Sequence, residues 1–393
     1  MAEKIKIMHV IDSLEHGGAQ EFLFQYLKAF DKTRFEVEIC GLVGMDRCGS
    51  GPQGIANFVL SPDKYNIFKI VSGLYNILKT REYDIIHLHL YFSKLLTRII
   101  IQLFFKKKLK VIVHEHNSID FEFARYFFYP VIKIIEKILY SFTDMVICNS
   151  EYTQNFYIDK LNYRKDNCKV IYNGIDFSEL DKEETSNGGE VAFLNICENA
   201  KGSVFGFLSR LHYQKGAEYL IRAFASFLAD KGQNKGHILL IAGDGPEARR
   251  LARLTRDLKM EDSIFFVGKL VENKKIFYQN INCFILPSIY EPFGIVLLEA
   301  LYFKVPIIAS RIGGIVEILK NGRYGFLVKD KDVPELAGAL YSFAKMEEAD
   351  KGSLDRIRES GFEYVKEHFS IKDTVKQLED VYIKIYGGGR DAE

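Results

Sequence analysis

The sequence predicts an α/β protein built as two doubly wound halves, each around a parallel sheet. Short apolar runs alternate with longer helix-periodic runs over most of the 393 residues, which is the pattern of βαβ units. Several apolar runs end in a glycine turn that opens a helix. The alternation stops at a polar stretch near 181–203 and then restarts. A chain of this length exceeds one ordinary core, so two domains of roughly 150–200 residues each are expected.

The elements follow in order. An apolar run at 5–11 leads through Gly17-Gly18 into a periodic run at 19–30, which reads strand, glycine turn, helix. Further strands are expected at 35–43, 84–90, 110–114, 144–148 and 168–172, with helices at 66–80, 92–105, 123–141 and 151–160. Asp181-Lys-Glu-Glu-Thr-Ser-Asn-Gly-Gly is a linker or surface insertion. Strands resume at 204–208, 237–242, 263–267, 282–286, 306–309 and 325–328, with helices at 215–230, 246–259, 294–303 and 333–347. Helical patterns at 353–368 and 371–386 close the chain. The expected domains are 1–185 and 186–370, with 371–393 a C-terminal helix able to pack back on the first.

Composition narrows the function. Apolar residues make up 48% and charged residues 27%, with net charge +1. That is ordinary for a soluble globular protein and carries no global attraction to nucleic acid. Six cysteines, at 40, 48, 148, 168, 197 and 283, form no C-x-x-C pair, which fits a reducing, cytoplasmic compartment. No apolar stretch has signal-peptide form, and none reaches the ~18 uninterrupted residues of a membrane span.

Ligands of doubly wound sheets bind beyond the carboxyl ends of the strands, and a cleft between two such domains is the default site. In the second half, Glu291-Pro-Phe-Gly-Ile-Val-Leu-Leu-Glu299 follows an expected strand and enters a helix. Gly294 sits near that helix N-terminus, where free amides favour a phosphate. Arg210 and Lys215-Gly216 follow another strand, and suit phosphate oxygens as a planar fork and a point charge. Gly243-Asp-Gly-Pro246 and Gly268-Lys269 end two more strands. Taken singly, these are solvated carboxylates and structural turns. Gathered on one sheet they outline a nucleotide-binding rim.

The ordered set Ser209-Arg210-Leu211, Lys215-Gly216, Gly243-Asp-Gly-Pro246, Phe266-Val-Gly268, Leu286-Pro-Ser288, Glu291-Pro-Phe-Gly294, Glu299-Ala300, Gly313-Gly314 and Glu317 resembles glycosyltransferase family 4, of the GT-B fold. The likeness is dense over 205–330 and sparser before it, and Ser209 departs from the usual glycine. The resemblance implies two Rossmann-like domains facing across a cleft and a retaining transfer from a nucleotide sugar, with uridine the expected base. It implies Arg210 and Lys215 on the donor diphosphate, Glu291 on the transferred sugar, Phe293, Gly294 and Ile295 beside it with amides from the last two, and Glu299 on the ribose. Gly243 and Gly268-Lys269 fall on the nucleotide side. Gly17 and Gly18 match the N-terminal loop that approaches the donor. The acceptor that the resemblance implies is a hydroxyl of a glycan or lipid-linked acceptor.

The first half supplies histidines. His87 and His89, and His114 and His116, each share one face of an expected strand. A structural role or a metal site with Glu115 or Asp12 is open to them; the resemblance makes His116 the active-site histidine. Asp330-Lys-Asp332 has D-x-D spacing but lies far from the glutamate motif, so transfer without a metal or other cofactor is expected. The stretches 98–110 and 126–140 mix bulky apolar residues with lysines. They fit helices packed on a sheet or contact with the cytoplasmic face of an anionic membrane. Two other functions fit the fold: a GT-B nucleotide-sugar epimerase, and a partner subunit without catalysis.

Overall fold

The structure, a computed structural model, describes residues 4–14, 18–44, 55–63, 66–105, 109–119, 127–182, 193–230, 236–270 and 274–387. The chain divides into two compact units, Met1–Ile175 with Ile371–Glu393, and Asp176–Ser370. The division falls at Ile175/Asp176, ahead of the expected 185/186. The cause is local. Phe177 stacks on Tyr302 at 4.9 Å, the Tyr302 hydroxyl donates to Asp181 at 2.7 Å, and Lys275 donates to the Asp181 carbonyl at 3.0 Å. The helix Phe177–Asp181 therefore belongs with the second unit.

The first unit carries seven parallel strands: β1 Ile5–Ser13, β2 Phe35–Val43, β3 Ala56–Ser61, β4 Ile85–His89, β5 Lys110–Glu115, β6 Met145–Cys148 and β7 Cys168–Val170, ordered β3-β2-β1-β4-β5-β6-β7. β3 is absent from the sequence expectation. It is a half-buried edge strand after a Gly-Ser-Gly-Pro-Gln-Gly run, which reads as loop. The helix expected at 123–141 is observed as Tyr129–Tyr140, with Phe128 at its N-cap; positions 123–126 of the expected span lie outside the described residues. The helix at 92–105 is α over Tyr91–Ile100 and continues as a π turn over Ile101–Phe105. The C-terminal helix Ile371–Gly387 packs in this unit: Thr374 donates to the Tyr172 carbonyl at 2.9 Å and Tyr382 is fully buried.

The second unit carries six parallel strands: β8 Val204–Leu208, β9 Ile238–Ala242, β10 Ile264–Gly268, β11 Cys283–Leu286, β12 Ile307–Ser310 and β13 Phe326–Val328, ordered β10-β9-β8-β11-β12-β13. β8, β9, β11 and β12 are buried at every residue. That is why they read as unbroken apolar runs: helices cover both faces of such a sheet. On one face Phe205, Phe207, Leu239 and Ile241 pack against Phe224 of helix Ala217–Ala229 and Phe343 of helix Val333–Ala349.

Both sheets reverse strand order once. In the first the chain turns outward on either side of β1/β4, in the second on either side of β8/β11. Doubly wound sheets open a ligand crevice at such a point, beyond the carboxyl ends.

Candidate active site

In the second unit the reversal lies between β8 and β11, and the loops leaving those strands meet. Gly216 has φ +69°, and a Cβ there would stand 1.9 Å from the Pro287 carbonyl oxygen, so only glycine fits. The Ile289 amide donates to the Gln214 carbonyl at 2.7 Å. This close approach sets Lys215 against Glu291, with Nζ 2.6 Å from the carboxylate. The Ser288 hydroxyl donates to the same carboxylate at 3.2 Å. Glu291 is buried, and a carboxylate taken out of water needs such partners.

Glu299 repeats the arrangement. It is buried on helix Ile295–Tyr302, 3.0 Å from Lys274 Nζ, and accepts from the Tyr278 hydroxyl at 3.0 Å. Each glutamate of the motif thus holds one lysine and one hydroxyl. Lys274 and Tyr278 are absent from the sequence expectation, and Ser288 stands there within Leu286-Pro-Ser288 but with no role assigned to it. A lysine and a tyrosine on the short helix Lys274–Gln279 carry no turn or spacing signal.

The other expected residues group around this pair to different degrees. Arg210 is exposed at the end of β8 and, among the described residues, its guanidinium has no ion-pair partner. Gly294, at φ +108°, begins helix Ile295–Tyr302 and brings Ile295 into its first turn. The Gly243 amide donates to the Gly268 carbonyl at 2.7 Å, which ties the ends of β9 and β10; Lys269 beyond it is exposed. Phe293 departs from expectation. Its side chain is buried, with its ring 6.2 Å from Phe369, and packs rather than presenting a surface. Asp332 of the D-x-D triplet caps helix Val333–Ala349, accepting from the Glu335 amide at 2.9 Å.

In the first unit Gly17 lies outside the described residues and Gly18 opens helix Gly18–Ala29. β1, β4 and β5 bring His9, His87, His89, His114 and His116 onto one side of the sheet, all buried. His9 is the member the sequence expectation lacks, because a single histidine in a strand has no partner at i+2. His9 Nδ1 lies 3.0 Å from His89 Nε2, and His89 Nδ1 lies 3.2 Å from His116 Nε2. His114 and His116 stack at 4.4 Å. Tyr26 and Tyr382 close the inner side through hydrogen bonds to His9 and His87. Burial holds His9 and His116 down to about 3, with the Lys94 charge adding to the effect at His116. Burial, then neighbouring imidazoles, keeps His87, His89 and His114 well below the usual range. The imidazoles are therefore neutral near pH 7.

Two overlapping triplets, His9/His87/His89 and His89/His114/His116, hold ring nitrogens within 4.8 Å of one another and have the chemistry for a transition-metal ion. The carboxylates expected beside them are engaged elsewhere. Glu115 pairs with Lys94 and accepts from Tyr157 at 2.6 Å. Asp12 receives the Ser93 and Phe92 amides at 2.6 and 3.2 Å and so caps helix Tyr91–Ile100 across β1/β4. Leu90, before that helix, has φ +65°, a conformation that costs about 1–3 kcal/mol in a non-glycine residue.

With this geometry the comparisons with known proteins are specific. Residues 16–179 match the family model Glycosyltransferase Family 4, and 196–390 match Glycosyl transferases group 1. The chain belongs to glycosyltransferase family 4. An uncharacterized glycosyltransferase of Methanocaldococcus jannaschii is 32% identical over 226 residues, 56% of this chain and 55% of that protein. N-acetyl-alpha-D-glucosaminyl L-malate synthase of Bacillus anthracis is 29% identical over 55% of this chain and 51% of that protein. The matches thus span about half the length of these two relatives. The UDP-Gal:alpha-D-GlcNAc-diphosphoundecaprenol alpha-1,3-galactosyltransferase of Escherichia coli is 25% identical over 97% of both chains. Among solved structures, Anabaena HepE in complex with UDP has a TM-score of 0.76 at 21% identity, covering 97% of this chain and 100% of that one. Such neighbours share the GT-B fold of two Rossmann-like sheets.

Proposed function

We propose that the chain is a retaining glycosyltransferase that moves a hexosyl or N-acetylhexosaminyl group from a nucleotide sugar, UDP-linked, to a hydroxyl of a glycan or lipid-linked glycan in cell-surface polysaccharide or glycoconjugate synthesis. The observation that carries this is the Lys215–Glu291 pair, 2.6 Å apart where β8 and β11 diverge. UDP is supported by the printed activity of the Escherichia coli relative and by the UDP bound in the Anabaena structure.

In this reading the bond from the sugar C1 to the donor phosphate breaks. The bond from C1 to the acceptor oxygen forms on the same face, the acceptor proton leaves, and the nucleoside diphosphate departs. Arg210, Lys215 and the amides at Gly294 and Ile295 offset the charge that develops on the diphosphate. Glu291 accepts hydrogen bonds from the sugar hydroxyls, and Glu299 from the ribose. His116, neutral and at the rim of its cluster, accepts or donates one hydrogen bond to sugar or acceptor. Charge compensation by these groups makes a metal unnecessary for transfer. The site of action is the cytoplasm, at the cytoplasmic face of the membrane when the acceptor is lipid-linked.

A panel of nucleotide sugars screened by thermal shift, followed by mass spectrometry of products with and without acceptor, tests this. UDP-sugars should raise the melting temperature according to affinity, and a glycosylated acceptor should form. Free nucleotide with an altered sugar and no acceptor requirement would identify an epimerase. Absence of nucleotide binding by calorimetry would point to a partner subunit without catalysis.

A further inference from the structure

Two neighbouring helices of the first unit are built inside out. On helix Tyr91–Ile100, Lys94 and Arg98 stand one turn apart and point inward, Arg98 only 1% exposed. Arg98 donates to both oxygens of Glu136 at 2.8 and 2.9 Å, and Tyr163 donates to the same carboxylate at 2.8 Å. Lys94 pairs with buried Glu115. Glu136 belongs to helix Tyr129–Tyr140, whose Ile134 and Ile138, both more than half exposed, face away from it. Ahead of that helix Phe127 is 99% exposed. The π turn after Ile100 presents Leu103 at 64% and Phe104 beside it. Phe104 packs edge-on against Tyr75 at 5.1 Å, which joins helix Ile67–Thr80 to the surface, with Phe68 at its start 85% exposed.

Charges inside and large apolar groups outside invert what water selects. Burying an ion pair has a desolvation cost, and contiguous exposed apolar patches of this kind mark interaction sites in soluble proteins. The ionic composition narrows the partner. In Ile67–Thr80, Tyr91–Phe105 and Tyr129–Tyr140 the one carboxylate is Glu136, which is buried. The charged groups these segments leave toward solvent are the lysines at 69, 79, 133 and 137. None of the described helices is long and apolar enough to cross a membrane. We propose that this face docks on an anionic lipid bilayer. The phenylalanines and branched side chains enter the headgroup–acyl boundary, and the lysines remain among the lipid phosphates.

The proposal rests on no part of the donor reading: a chain that binds vesicles and transfers no sugar keeps this surface. The test is flotation of the full chain with phosphatidylcholine vesicles, and with vesicles of equal phosphatidylcholine and phosphatidylglycerol. Binding should require the anionic lipid and weaken with salt. The triple variant Phe68→Ser/Leu103→Ser/Phe127→Ser should bind at least ~100-fold more weakly with an unchanged circular dichroism spectrum, because all three side chains already face solvent. Lys133→Glu/Lys137→Glu should lose the preference for anionic vesicles. A chain that fails to float with anionic vesicles at low salt overturns the proposal. So does a triple variant that floats like the parent, or one whose loss of the apolar groups dissolves a dimer seen by ultracentrifugation while vesicle binding is absent throughout.

Discussion

Acid should loosen the first unit selectively. His9 and His116 are held to about 3 by burial, against ~6.5 in an unfolded chain. Below pH 6.5 the unfolded chain takes up protons that the native unit refuses, so native stability, full above that pH, falls as pH drops toward 3. At pH 5, relative to pH 8, each of these two imidazoles removes about 2 kcal/mol, together ~4 kcal/mol. A domain has only ~5–15 kcal/mol in total. His87, His89 and His114 are shifted the same way. With a urea slope of roughly 1–3 kcal/mol/M, the midpoint should move down by on the order of 1–4 M. Urea titrations read by hydrogen exchange in β1, β4 and β5 peptides measure it, with β8 and β11 as the internal comparison. Asp12 and Glu115, whose carboxyls burial raises, push in the opposite sense. Comparison with His9→Asn/His116→Asn isolates the imidazoles. A midpoint equal at pH 8 and pH 5, or a parent and variant with the same pH slope, would refute the reasoning.

Three further outcomes are expected. Tyr278→Phe removes the hydroxyl from Glu299 but leaves Lys274; it should cost about 1 kcal/mol of stability and raise the Kd for a UDP-sugar several-fold, as read by calorimetry. Gly216→Ala drives a Cβ onto the Pro287 carbonyl and should lower stability by roughly 2–4 kcal/mol and abolish activity, checked by thermal melting beside a rate assay. EDTA treatment followed by desalting should leave the transfer rate within about two-fold, since Arg210, Lys215 and amides are proposed to supply the positive charge. A rate lost to EDTA and restored by zinc would move attention to the histidine triplets.

Much of the fold is legible because parallel strands covered on both faces must be continuously apolar. Val204–Leu208 and Cys283–Leu286 announce themselves in that way, whereas Ala56–Ser61, half-buried at an edge behind a glycine-rich run, does not. The candidate site is legible where backbone geometry dictates residue type. Gly216 and Gly294 take positive φ; Lys215 adjoins the first, and Glu291 lies three residues before the second. It is illegible where a partner comes from distant chain. Nothing in the Lys274–Gln279 segment announces that Lys274 and Tyr278 meet Glu299, and Phe293, inside the motif, serves the core. The lysine-bordered apolar stretches show the same limit. Their composition is plain in sequence, but that Lys94 and Arg98 turn inward while Leu103 turns outward depends on Glu115 and Glu136 waiting beneath.

Lys215 and Glu291 are proposed to grip a nucleotide sugar for transfer. Turnover of the wild-type chain, Lys215→Ala and Glu291→Ala on the UDP-sugar that gives the largest thermal shift tests it most directly, with product masses read alongside. The wild type should give a glycosylated acceptor plus free UDP, and each variant should lose at least ~100-fold in turnover while remaining folded. Full activity in both would contradict it.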